Sequence, residues 1–187
     1  MSEQELDHQS VGVIIACPGL YKFLFQVNDE GHPDPRCRGR MQLWGGHMKE
    51  EDDNNPFLAL KRELSEEWCD QSVVEEVSRC VSRQTPRRFI LQSNGGSPHP
   101  YRYSLDVFLA LAPRELFMDW FIRLEHQGFN EGRMVFLTRE MIKYYISDKD
   151  LQRLFLGNLH EVMKYYFESE ESLSGLQTFA RSSRPHV

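Results

Sequence analysis

Glu63, Glu66 and Glu67 are the residues whose types and spacing offer the most chemistry. At about 100° per residue they fall within an arc of about 100° on one helix face. Like charges at i,i+3 and i,i+4 repel, and a helix with no use for them more often carries Lys or Arg at one of these positions. Two readings follow: a solvated acidic face, or a site where a divalent cation relieves the repulsion. An oxygen-only donor set suits Mg2+, with Mn2+ as its nearest substitute, rather than zinc. Cys17, Cys37, Cys69 and Cys80 form no C-x-x-C pair and so suggest neither a zinc site nor a redox motif.

The acids lie in the run Arg62-Glu63-Leu64-Ser65-Glu66-Glu67, downstream of a Gly45-Gly46 pair. This run resembles the signature of the Nudix hydrolases: Gly, five spacers, Glu, seven spacers, then Arg-Glu-aliphatic-x-Glu-Glu-x-Gly-aliphatic. The resemblance implies an α/β fold, an α/β/α sandwich with a mixed sheet and C-terminal helices, over most of residues 11–167. It further implies that Glu63, Glu66, Glu67 and the carbonyl of Gly46 bind Mg2+, or Mn2+, while Arg62 orients the cluster through charge-assisted hydrogen bonds. The implied reaction is hydrolysis of the pyrophosphate bond of a nucleoside diphosphate linked to another moiety, giving a nucleoside monophosphate and a phosphorylated remainder. Many relatives carry a further Glu on a loop before the last core strand. Glu131 is the candidate here, as base or extra ligand, with Glu125 second. Pro86 stands near where ADP-ribose-type members carry a proline, which favours a nucleotide sugar such as ADP-ribose over a nucleoside triphosphate. The alternative is a catalytically silent Nudix-like module that senses a nucleotide metabolite.

The match departs from the family pattern in three places. Asp52 stands where the first Glu is expected, and nine residues separate it from Arg62 instead of seven. Cys69 and Asp70 replace the Gly and the aliphatic residue after the acids, so the helix is expected to end without a left-handed glycine cap.

These residues need a scaffold, and the pattern supplies one. Val11, Val13 and Ile15 alternate, Pro18-Gly19 turns the chain, and Tyr21, Phe23 and Phe25 alternate again, predicting a hairpin. Residues 28–40 read as a loop, and Met41, Leu43 and Trp44 as a short strand ending at Gly45-Gly46. Asn55 as N-cap and Pro56 at the first helical position start the carboxylate helix, whose stripe is Phe57, Leu60, Leu64 and Trp68. Further strands are expected at residues 73–82, 88–92, 103–111 and 133–137. Helices are expected at 114–126 and, as one long or two short segments, at 148–167. Asn94 to Pro98 reads as a surface turn. Residues 1–168 are expected to form one domain, and residues 169–187 a loosely held polar tail. His47 could reach a phosphate but more commonly such a lone histidine is incidental. Arg40 and Arg88, among flanking arginines, are the candidate substrate contacts, against the plainer reading of solvated loop edges. Cys69 is expected to pack rather than act as a nucleophile.

Charge and hydropathy narrow the partners. With a formal net charge of −6 and 40% hydrophobic residues, the chain can build a core but does not suit sequence-blind binding to nucleic acid or anionic lipid. Its apolar runs are too short to span a bilayer, and residues 1–7 carry no export signal. A cytoplasmic protein with reduced thiols and a small-molecule nucleotide partner is expected, and a homodimer is left open.

Overall fold

Strand β1 (His8–Cys17) is buried on both faces over residues 11–17, so its side chains divide between two cores. Val11, Val13 and Ile15 enter one and Ile14 and Ala16 the other, as alternation along a central strand requires. A computed structural model describes residues 8–17, 22–92 and 102–168. The Pro18-Gly19 turn, Tyr21, the Asn94 to Pro98 turn and the 169–187 tail all lie outside the described residues.

Among the described residues, six strands form one mixed sheet. β2 (Lys22–Val27) pairs antiparallel with β1, confirming the hairpin, and carries β3 (Met41–Gln42) beside the later part of its length. β4 (Arg87–Gln92) pairs antiparallel with β5 (Arg102–Leu111), and β5 runs parallel to β1. The order is β3-β2-β1-β5-β4, with β6 (Arg133–Thr138) on the other side of β2. Helices cover both faces, completing an α/β/α sandwich. α1 (Pro56–Glu67), α2 (Gln71–Val81) and α3 (Arg114–Gln127) bury residues in the first core, and α4 (Arg139–Ser147) and α5 (Leu159–Glu168) in the second.

One sequence expectation about the elements is corrected. Residues 73–82 are not a strand but most of α2. Val73, Val74, Val77 and Val81 are all buried, and spacings of one, four and eight are a helical stripe, so burial of that stripe overrides the strand preference of valine. Asp70 starts this helix by accepting from the N–H groups of Ser72 and Val73, an N-cap that satisfies otherwise orphaned donors. At the C-terminal end, α4 occupies residues that the pattern did not assign, capped by Thr138 Oγ1. The region 148–167 then holds a 3-10 turn (Leu151–Leu154) and α5, two short pieces rather than one long helix. No helix among the described residues is long and apolar enough to cross a membrane.

Candidate active site

The Gly-Gly turn is held in place by the sheet. Where β2 diverges from β1, the chain after β3 takes over as neighbour: Val13 N donates to Trp44 O and Val11 N to Gly46 O, both at 2.9 Å. Gly45 has φ +134 and lies so close to the backbone of Val11 and Gly12 that a Cβ would collide with it. Gly46 faces the opposite demand, because a Cβ there would fall on the Glu63 carboxylate.

Helix α1 brings the acids to this turn. Its N-cap is Asn55, which accepts from Phe57 N and Leu58 N, with Pro56 at the first position. Leu60, Leu64 and Trp68 are fully buried and Phe57 packs beside them, so the predicted stripe faces the sheet. Upstream, a 3-10 turn (Glu50–Asp52) is followed by Asp53 and Asn54 at φ 50 and 56. The chain then enters α1, whose Arg62 lies back against Asp52. Asp52, 3% exposed, is held below the usual carboxylate range by the Arg62 guanidinium.

Arg62 donates to two of the acids at once. Its Nη1 donates to Glu63 Oε1 at 2.7 Å and Glu66 Oε1 at 3.2 Å, and its Nη2 to the His47 carbonyl at 2.8 Å. Lys49 also reaches Glu66 Oε1, at 3.3 Å. Burial works to raise the Glu66 carboxyl, but the donors of Arg62 and Lys49 outweigh it and the net direction is downward. Glu67 is the opposite case. Only 6% exposed, it is pushed up to about 9 by burial and then by repulsion from Glu63, with Glu131 adding to the effect. Gly45 N donates to Glu67 Oε2 at 3.3 Å.

The loop bearing Glu131 is stitched to the end of α1. Asn130 N donates to Glu67 O at 2.8 Å, Asn130 Nδ2 to Glu66 O at 2.6 Å, and Trp68 bridges Phe129. Glu131 is thereby brought near enough to Glu67 for their charges to interact. Glu125 is exposed on α3 and makes no hydrogen bond or ion pair with the acids among the described residues. Asn130, Lys49 and Gln26, the last a buried neighbour of Glu67, were not singled out from the sequence. The one local signal was Gln26, a polar residue inside the apolar run of β2.

Other expectations are qualified. Arg88 forms a two-point pair with buried Asp106, at 2.9 and 2.7 Å, and so is not a free loop-edge cation. Among the described residues neither Arg40 nor Arg88 bonds to Glu63, Glu66, Glu67 or Glu131. His47 is exposed, its ring against His8. Cys69 is exposed rather than packed inside, with its Sγ on Asn130 Oδ1 at 3.4 Å. The helix exit needs no left-handed residue: Trp68 is extended, Cys69 has no positive φ, and Asp70 already begins α2.

Among the described residues no three His, Cys, Asp or Glu side chains form a ready-made metal-binding group. The donor chemistry nevertheless fits a hard cation. Arg62 engages only Oε1 of Glu63 and of Glu66, and Glu63 Oε2 occupies the space a Cβ on Gly46 would fill. Carboxylate oxygens of Glu63 and Glu67 thus meet at the Gly45-Gly46 turn, the kind of donors that Mg2+ and Mn2+ prefer.

No family model and no curated protein matches this sequence. Solved structures do. A NUDIX hydrolase from Alicyclobacillus acidocaldarius aligns over 94% of this chain and 97% of its own, at 12% identity and a TM-score of 0.53. This is the Nudix fold. A bifunctional NMN adenylyltransferase/ADP ribose pyrophosphatase from Francisella tularensis, complexed with AMP and a manganese ion, aligns over 89% of this chain at 15% identity and a TM-score of 0.50. The chain spans 43% of that enzyme's length. Within the Nudix fold, α1 and its Gly-Gly turn occupy the first-core face of the sheet, where the acids project beside the 128–132 loop.

Proposed function

We propose that this protein is a divalent-metal-dependent pyrophosphohydrolase acting in the cytoplasm, with residues 1–168 as one catalytic domain. The observation that carries this reading is the approach of Glu63 and Glu67 to one Gly-Gly turn, with Arg62 holding Glu63 and Glu66 from behind. The substrate is a nucleoside diphosphate linked to another moiety, and a nucleotide sugar such as ADP-ribose is favoured. The likeness to the Francisella enzyme supports that class. Glu63, Glu66, Glu67 and the carbonyl of Gly46 would hold Mg2+ or Mn2+. A bound ion of this kind neutralises pyrophosphate and lowers the pKa of bound water. Arg62 keeps the ligands aimed, and Glu131 would take the proton of the attacking water as the P–O bond to the leaving phosphate breaks. Arg40 and Arg88 would steady the phosphates.

The test is release of phosphomonoester from a panel of nucleoside diphosphate derivatives. Chelation should abolish it, and Mg2+ or Mn2+, but not zinc, should restore it. Glu67→Gln should keep the fold and lose at least roughly a hundredfold in kcat, because an amide cannot match the carboxylate charge. Near-normal turnover by that variant overturns the assignment.

A second reading, a sensor that binds without hydrolysing, draws on one observation. Arg62 already engages Glu63 and Glu66, and Lys49 engages Glu66. Binding of a nucleoside diphosphate by calorimetry with no phosphomonoester released over hours would establish it.

A further inference from the structure

Gln26 lies in β2 between Phe25 and Val27 and is 0% exposed. A buried amide is costly unless its polar atoms are all paired. Here they are. Nε2 donates to the Glu131 carbonyl at 3.2 Å, and the side chain also interacts with the Glu67 carboxyl. Oε1 accepts from Gln42 Nε2 at 2.5 Å, and Gln42 Oε1 accepts from Asn28 Nδ2 at 3.5 Å. The Glu131 backbone carbonyl only accepts, so the amide end facing it must be the NH2 and the side chain cannot flip. The three amides therefore donate in one sense, from Asn28 through Gln42 and Gln26 toward the acids.

Three elements of the candidate site meet at this side chain. α1 contributes Glu67. The 128–132 loop contributes the Glu131 carbonyl and Gly132, where a Cβ would lie 2.6 Å from the Val27 carbonyl oxygen and 3.2 Å from Gln26 Cγ. β3 contributes Gln42, the direct cross-strand neighbour of Gln26, on the strand that leads to Gly45-Gly46. An apolar side chain would fill the same volume without needing three partners. The chemistry of the position is therefore used to fix its neighbours relative to one another.

We propose that Gln26 is a positioning residue, setting Glu67 and the Glu131 loop in register for cation binding while Gln42 and Asn28 lock its orientation. This rests on the reading of Glu67 as a metal ligand. The experiment uses the full chain and two readouts: Mn2+ affinity by electron paramagnetic resonance, and steady-state kinetics on whichever nucleoside diphosphate derivative the wild type hydrolyses. Gln26→Met keeps volume and removes the donors. It should weaken Mn2+ about tenfold, as loss of a ligand-orienting partner does, and lower kcat at saturating metal while leaving substrate KM unchanged. Gln42→Leu, at a half-buried position farther from the acids, removes only the orienting bond and should weaken Mn2+ by a smaller factor, about threefold. If Gln26→Met does not fold, Gln42→Leu decides. Wild type that binds Mn2+, with the folded variants binding within twofold of it, overturns this inference alone. Wild type that binds no Mn2+ overturns the metal reading and this inference with it.

Discussion

Arg62 and Asp52 are joined by two hydrogen bonds, Nε to Oδ1 at 3.1 Å and Nη2 to Oδ2 at 2.9 Å. Lys49 N donates to the same Oδ2 at 2.7 Å, so the aspartate closes the 3-10 turn and anchors the guanidinium together. The remaining Arg62 nitrogen, Nη1, is left to reach Glu63 and Glu66. The order of the acids thus depends on a residue that touches neither of them.

Asp52→Ala should therefore lower stability and metal affinity at once. Arg62 and Asp52 side chains are 16% and 3% exposed, and removing one partner from a buried pair costs about 3 kcal/mol. Urea denaturation should show that loss, and Mn2+ titration of the folded variant a drop of about tenfold from disordered ligands.

Alanine at the two adjacent glycines should give different failures. At Gly45 the positive φ and the Val11 backbone oppose a side chain, so Gly45→Ala should cost about 1–3 kcal/mol of folding. At Gly46 no positive φ is present and the obstacle is the Glu63 carboxylate. Gly46→Ala should melt near wild type while binding Mn2+ about tenfold more weakly. Paired melting curves and Mn2+ titrations check both.

Acid should weaken the α2–α3 junction. Arg123 donates twice to Asp70, at 3.1 Å each, and this pairing holds the Asp70 carboxyl far below its ordinary 3.8. A carboxylate lowered by folding contributes stability that is complete above its unfolded pKa and lost as pH falls below it. The melting temperature of wild type should drop as pH passes below about 4. Asp70→Asn, which keeps an N-capping oxygen, should start lower at neutral pH and drop less over the same range.

Cys69→Gly is not expected to repair anything. Because Cys69 has no positive φ, glycine brings no relief of strain and only adds freedom to the unfolded chain, at about 0.5–1 kcal/mol. Activity should stay near wild type, since the Cys69 side chain meets Asn130 rather than the acids. A gain in either stability or turnover would show that the helix exit is strained after all.

Local order was legible in the sequence. The carboxylate face, the Asn55-Pro56 start of α1, the β1–β2 hairpin and the Gly-Gly turn all follow from spacing and residue type within one segment. α2 was missed because its valines were read for strand preference, when their spacing buries one helical face against the first core. Tertiary structure decided the rest, and each case joins residues far apart in sequence. Asn130 ties Glu131 to α1 across 64 residues, and Gln26 reaches the Glu131 carbonyl across 105. Arg88 is claimed by Asp106, 18 residues on, because β4 and β5 happen to pair in that register. Periodicity reports which face of an element is apolar. It carries no information about which distant polar group will meet a given donor once those faces pack.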